Sequence, residues 1–341
     1  MKTRMKVLLS TVTALVCLSV GIGVGSVALT LPDQLAILAY KLFGCALPER
    51  ISDVSVSILW TIRLPRVLTA FLTGAALSVS GTVMQSVLGN PLASSYTLGV
   101  SSGASLGAAL VMLSGFSLLG RFTLPLTGFL FGLGTVVLAM RLTARFDQGF
   151  SSQTIVLTGM VLSLFVSALL TLLTSFAGDR LKQLIFWQMG SFSGQSWENV
   201  RLIAPMLLFC LLLLARRATE MDLMTFGDEQ AQSAGVPVRR IKRALLLLST
   251  LLSGSVISFV GVIGFVDLIV PHVVRRLFGS RHSLILPMSA LFGGSLLTLC
   301  DLLSRTLLSP RELPVGAITA LVGAPFFAYL FLHGRKEGEG C

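Results

Sequence analysis

Few residues in this sequence have side chains that do chemistry. Of 341 residues, only 15 are Asp or Glu and three are His. The histidines, His272, His282 and His333, lack metal-ligand spacing, and no Ser/His/Asp or Cys/His arrangement falls on neighbouring loops. No G-x-x-x-x-G-K-[ST] loop is present to cradle nucleotide phosphates. The five cysteines (Cys17, Cys45, Cys210, Cys300 and Cys341) form no CxxC pair and read as small membrane hydrophobes, without a disulfide or metal framework. No catalytic residue, no metal site and no cofactor of the chain's own is expected. If this protein drives anything uphill, a second chain supplies the energy.

Two carboxylates, Asp267 and Asp301, stand near the ends of apolar runs. An ion-coupled carrier needs intramembrane carboxylates or unwound helices that bind the ion, and two such groups are a thin supply. Asp267 has two readings, a helix N-cap whose side chain accepts orphan backbone N–H groups or a role in transport. The longest polar stretch, Ala215 to Arg243, contains Phe226–Gly227–Asp228–Glu229–Gln230–Ala231–Gln232–Ser233–Ala234–Gly235–Val236–Pro237. Asp228, Glu229 and Gln230 suit the first turn of a short helix, where carboxylates complement the helix dipole. Gly235 suits its C-terminal cap and Pro237 its stop. Such a segment is either a surface helix that fits a partner's groove or a solvated connector.

The elements that carry these residues are membrane spans. Hydrophobic residues make up 54% of the chain and charged ones only 12%, against about 25% charged in soluble domains. Apolar runs repeatedly reach the roughly 20 residues that a helix needs to cross a bilayer. They lie near 7–29, 66–88, 97–115, 123–141, 154–176, 201–215, 243–264, 267–278, 284–304 and 315–333. The expected fold is thus all-α, a single transmembrane domain over residues 1–341 with about ten transmembrane helices. The run at 267–278 is too short to cross and reads as a half-helix behind Gly261–Gly264, held inside the protein where irregular backbone is tolerated. Small residues recur at helical spacing: Gly99, Gly103 and Gly107; Gly74 and Ser78; Gly128 and Gly132. Such faces let helix backbones approach closely in lipid.

The net charge of +11 reflects Lys and Arg in cytoplasmic loops, and no aromatic-rich basic patch suggests nucleic acid. Lys2, Arg4 and Lys6 precede a run from Val7 to Leu29 that exceeds a signal-peptide core and has no clear cleavage site, so it reads as the first span. With both termini cytoplasmic, inner segments hold 16 of the 26 Lys and Arg, Lys242 among them, and Arg63, Arg66 and Arg305 fall on the outer face. Those arginines either snorkel to lipid headgroups or receive carboxylates, which guanidinium binds in bidentate fashion.

The ordered series Arg63–Leu64–Pro65–Arg66, Gly74–Ala75–Ala76–Leu77, Ser80–Gly81, Gln85, Asn90–Pro91–Leu92–Ala93 and Leu98–Gly99–Val100–Ser101 resembles a known family. Gly227–Asp228–Glu229–Gln230–Ala231, Gly264–Phe265–Val266, Pro271–His272, Glu312–Leu313–Pro314–Val315–Gly316 and Gly323–Ala324–Pro325 continue it. The match, over about residues 55–330, is to the permease subunits of type II ATP-binding cassette (ABC) importers for ferric siderophores, haem and cobalamin. The resemblance implies a permease dimer, homodimeric or of close relatives, in the cell inner membrane. Two ATPase subunits would hold ATP and magnesium beneath it, and a soluble substrate-binding protein would dock above.

It implies roles for particular residues as well. Gly227, Asp228, Glu229, Gln230, Ala231, Ala234 and Gly235 match the coupling helix that meets the ATPase, with Glu229, Ala231, Ala234 and Gly235 expected in its groove. Asn90 and Leu92 with Ser151, Ser152 and Gln153 match the cytoplasmic gate. Arg63, Arg66 and Arg305 match the arginines that meet the binding protein. Two positions depart from the pattern: Ser94–Ser95 replace an acidic residue and proline, and Asp267 replaces glycine. The implied cargo is an iron chelate (siderophore or haem), with cobalamin or another metal complex as alternatives. A secondary transporter and a membrane-embedded enzyme are the competing classes, and neither finds its residues here.

Overall fold

A computed structural model describes residues 3–25, 29–147 and 149–338, with backbone alone for residues 3 and 330–338. Lys2, residues 26–28 of the expected first span, and Cys341 lie outside the described residues, as do the side chains of His333, Arg335 and Lys336. Among the described residues the chain forms fifteen α-helices and no strand. In order they are α1 (Thr3–Gly23), α2 (Leu31–Phe43), α3 (Asp53–Ser57), α4 (Leu64–Leu88), α5 (Val100–Ser114), α6 (Thr123–Phe146), α7 (Ser152–Ser175) and α8 (Leu181–Gln188). Then follow α9 (Trp197–Ala215), α10 (Ala218–Met224), α11 (Asp228–Ser233), α12 (Val238–Val260), α13 (Val266–Phe278), α14 (His282–Thr306) and α15 (Val315–Gly338).

Among the described residues, seven helical stretches are long and apolar enough to cross a membrane: Arg4–Gly23, Asp53–Leu88, Gly120–Phe146, Ser152–Ser175, Trp197–Ala215, Val238–Val260 and His282–Thr306. Val100–Ser114 is a shorter apolar helix, α13 has 13 residues, and α15 runs from Val315 to Gly338. Each of the ten expected runs is helical over most of its described length, but two, α5 and α13, fall short of about 20 residues. The ends also shift. The first helix stops at Gly23, and the second begins at Asp53, running through a wide π-type turn at Ile58–Arg63 into α4. That turn immediately precedes Pro65 near the start of α4, where the missing proline N–H breaks the regular ladder. α12 begins five residues before its expected span because Val238, Ile241, Lys242 and Leu245 face inward while Arg239 and Arg240 face out.

α4 is the central helix. Its most apolar window is 83% buried, against 17% for α7, and α14, α12, α13 and α9 surround it. Glycine permits this crowding. A Cβ on Gly74 would collide with the Gly293 carbonyl on α14, and one on Gly81 with the Asp267 carbonyl on α13. On α5, a Cβ at Gly103 or Gly107 would lie 2.6 or 2.7 Å from the Phe131 or Thr127 carbonyl of α6. The small-residue faces are therefore the close-contact faces.

The irregular segment 261–264 is buried in protein, and its surroundings satisfy the local backbone. Ser191 N donates to Val260 O at 2.8 Å and the Tyr96 hydroxyl donates to Ile263 O. Alongside, Val315 N donates to Gly190 O and Gly316 N to Met189 O, each at 3.1 Å.

Overpacking at the α4–α14 crossing has a direct consequence. Gly293→Val should cost about 3 kcal/mol or prevent assembly and should lower the thermal midpoint of the detergent-solubilised protein. Gly134→Ala, with open space around its Cβ, should leave that midpoint unchanged or raise it, since Ala is the better helix former.

Candidate functional site

The segment around Gly227–Gly235 folds as its residue types dictate. Gly227 enters α11 at φ +111° and Gly235 leaves it at φ +85°, both in the region open to glycine. Asp228 and Glu229 occupy the first turn, where their charge favours the helix N-terminus. Ala231 corrects an expectation: it is fully buried, packing inward with Val236 and Val238. With one turn and a half, α11 has a single inward stripe, and Ala231 fills it. The outward surface includes Phe226, Glu229, Gln230, Gln232, Ser233, Ala234 and Gly235, with Phe226 74% exposed.

Asp228 also turns toward the bundle. Its Oδ2 accepts a 2.6 Å hydrogen bond from Lys242 Nζ, and the same ammonium donates to Ser152 Oγ at 2.9 Å. Lys242, one of the loop cations by sequence, is fully buried. Ser152 begins α7 and donates to Val87 O in the last turn of α4 at 3.3 Å.

The other residues expected at a gate gather at this same end. Asn90 Oδ1 accepts from Leu92 N at 2.9 Å, forming a tight turn directly after α4. Ser151 caps α7 by accepting from Thr154 N, while Gln153 is exposed. Asp147 holds Ser151 through its hydroxyl at 2.6 Å and its N–H at 2.9 Å. The Ser151 hydroxyl bond, then its backbone N–H, holds the Asp147 carboxyl below the ordinary range. A cavity of about 460 Å³ lies among these elements, lined in part by Asn90, Ser152, Gly227, Asp228 and Arg275.

Sequence inspection missed a second polar network beside that cavity. His282 Nδ1 lies 2.6 Å from Asp222 Oδ1 on α10, and its Nε2 lies 2.6 Å from Ser86 Oγ on α4. Arg275 on α13 donates to Thr82 O at 3.2 Å and to Gln85 Oε1 at 2.5 Å. The order Ser–His–Asp matches a nucleophile relay, but Ser86 lies inside α4, where neighbouring N–H groups are committed to the helix and form no oxyanion hole. The network is a brace tying α10, α14, α4 and α13 together. Its members are 60 to 196 residues apart, so no local motif announces it.

Arg63, Arg66 and Arg305 meet at the opposite end of α4, and the chain itself engages their guanidinium groups. Arg63 is 5% exposed and donates to Ile22 O at 3.2 Å and Gly23 O at 3.1 Å. Arg305 donates to Val24 O at 2.9 Å and also to Gly21 O. Both therefore cap the C-terminal carbonyls of α1, where cations suit the helix dipole. Arg66 grips Asp301, at 2.9 Å from its Oδ1, and reaches Glu312 Oε1 at 2.6 Å. Asp301, one of the two carboxylates considered for transport, thus serves a buried ion pair. Asp267 does not cap α13, since Phe265 holds that position in the left-handed region. Its 1%-exposed carboxylate faces Ser95 without a hydrogen bond of ordinary geometry among the described residues.

Removing the Asp301 charge with Asp301→Asn should cost about 3–5 kcal/mol because it strands buried guanidinium charge, read as a lower thermal midpoint. At the start of α7, Asp147 titrates below its unfolded value, so its support for the helix cap is complete at neutral pH. That support is lost as pH falls below about 3.9, the unfolded value. Protection factors at residues 151–155 (exchange rates corrected for the intrinsic pH dependence) should fall on acidification in the parent, and Asp147→Asn should remove that loss.

The chain matches the model of the FecCD transport family over residues 11–333. It is 39% identical to the uncharacterized ABC transporter permease protein YvrB of Bacillus subtilis, covering 95% of this chain and 92% of YvrB. It is 38% identical to the hemin transport system permease protein HmuU of Yersinia pestis, covering 85% of this chain and 87% of HmuU. A solved structure described as an inward-facing metal-chelate type ABC transporter superposes with a TM-score of 0.84 at 32% identity, covering 96% of this chain and 99% of that one. With all ten apolar runs helical and two polar clusters at opposite ends of one buried helix, the sequence and the architecture agree: this chain belongs to the FecCD transport family.

Proposed function

We propose that the chain is the permease subunit of an ABC importer that carries an iron chelate, a ferric siderophore or haem, across the cytoplasmic membrane. One observation carries this: α11 lies at the same end as the 90–92 turn and the start of α7, and Lys242 bonds both Asp228 of α11 and Ser152 of α7. A separate ATPase pair would seat Phe226, Glu229 and Ala234 in its groove and move them on binding ATP. The similarity to a hemin permease and to a metal-chelate transporter supports the cargo class. The α11 end is then cytoplasmic and the Arg66 end external.

A second copy of the chain completes the path. α7 leaves Leu157, Met160, Val161, Leu164, Phe165 and Leu172 exposed, an apolar face suited to a partner helix or to lipid. Two copies, two ATPase subunits and one binding protein make up the assembly. At the external end the binding protein's carboxylates would address Arg66 by displacing Glu312, whose side chain is 40% exposed. Arg63 and Arg305 would hold α1 in place beneath them.

In proteoliposomes containing the permease, its ATPase and its binding protein, ATP should drive uptake of haemin or a ferric siderophore in preference to cobalamin. Omitting the ATPase should abolish uptake. Transport driven by an ion gradient without the ATPase would overturn the proposal. For docking, Glu312→Gln frees one face of Arg66 and should tighten binding-protein affinity about two- to fivefold, the range of an exposed ion pair. Unchanged affinity would remove Arg66 from the docking surface.

A further inference from the structure

We infer that Lys242 is a positioning residue that transmits movement of α11 to the gate, an inference that rests on the importer function proposed above. Its ammonium joins three elements, and a fourth lies one bond away. Asp228 begins α11, Lys242 lies in the second turn of α12, and Ser152 begins α7. Ser152 in turn bonds Val87 O, two residues before Gly89, where α4 ends at φ +61°. The path from the partner-facing helix to the gate turn at Asn90 thus runs through Asp228, Lys242, Ser152 and Val87.

The physical argument is one of cost. Lys242 is fully buried and its partner Asp228 is 40% exposed. Burying an ammonium is expensive, and a buried ion pair replaced by apolar side chains is often no less stable. Here Asp228, with that exposure, can turn to solvent when its partner is removed. A methionine would serve the fold. A charge at this place instead makes the link between α11 and α7 directional and short, at 2.6 and 2.9 Å. Apolar contacts slide; two bonds to one ammonium do not, so displacement of Asp228 is passed on to Ser152. The Asp222–His282–Ser86 brace holds α10 to α14 and α4 on the neighbouring side. Movement of α11 is thereby directed toward α7, the most exposed of the long helices.

The test uses the complete complex in proteoliposomes and reads cargo transported per ATP hydrolysed. Lys242→Met should lower that ratio about tenfold, within the usual range of a coupling free energy, while ATP hydrolysis by the assembled complex persists. Lys242→Arg, which keeps the charge, should restore at least half of the ratio. An unchanged ratio in Lys242→Met, or transport and hydrolysis falling in proportion, would overturn the inference. If Lys242→Met fails to assemble, Asp228→Asn and Ser152→Ala each remove one arm of the link. Their effects on the ratio should be non-additive, because both act through the same ammonium; additive effects would overturn the inference. A parent complex without ATP-driven uptake would instead refute the importer function itself.

Discussion

The structure depends on one steric constraint: α4 must be thin enough to be surrounded. In lipid no hydrophobic force draws helices together, so close backbone approach decides which helices associate. Gly74 meets Gly293 on α14 and Gly81 meets the Asp267 carbonyl on α13, while Ser80 donates to Ser249 O on α12 at 2.9 Å. The 25 residues of α4 span roughly 37 Å at about 1.5 Å per residue, enough to carry one polar cluster at each end. The arginine cluster and the cluster around Asn90 and Ser152 lie at the two ends of one helix.

Those clusters spend charge differently. At the Arg66 end, guanidinium groups satisfy helix-terminal carbonyls and pair with Asp301, so most of their capacity serves the fold. At the other end, Lys242 and His282 each tie a short helix of the connecting segment to long helices of the bundle. The first arrangement anchors α1. The second makes α10 and α11 parts of the bundle while leaving the outer surface of α11 free, as transmission between a partner and a gate requires.

Much of the fold was legible because hydropathy and glycine spacing are local signals. Each apolar run corresponds to a helix, and Gly235 stands at positive φ as its position after α11 demands. What stayed hidden was pairing over long distance and the facing of short helices. Arg66 and Asp301 are 235 residues apart, so outer-face arginines read as free receptors although the chain already occupies them. Lys242 read as a loop cation because hydropathy averages over a window and cannot register one buried ammonium. Ala231 was assigned to the partner surface from a family pattern that carries no information on which face is inward. α2, amphipathic and only 13 residues long, falls below the length at which hydropathy separates a span from a loop.

The central claim is that α11 is the surface through which a separate ATPase drives this permease. A photo-crosslinking residue placed at Glu229, exposed and in the first turn of α11, tests it most directly in the intact complex. The account predicts an adduct, identified by mass spectrometry, between this position and the ATPase subunit, with yield that changes between the nucleotide-free and ATP-bound states. Crosslinks confined to lipid or to the permease itself, in a preparation where the ATPase is present and active, would contradict it.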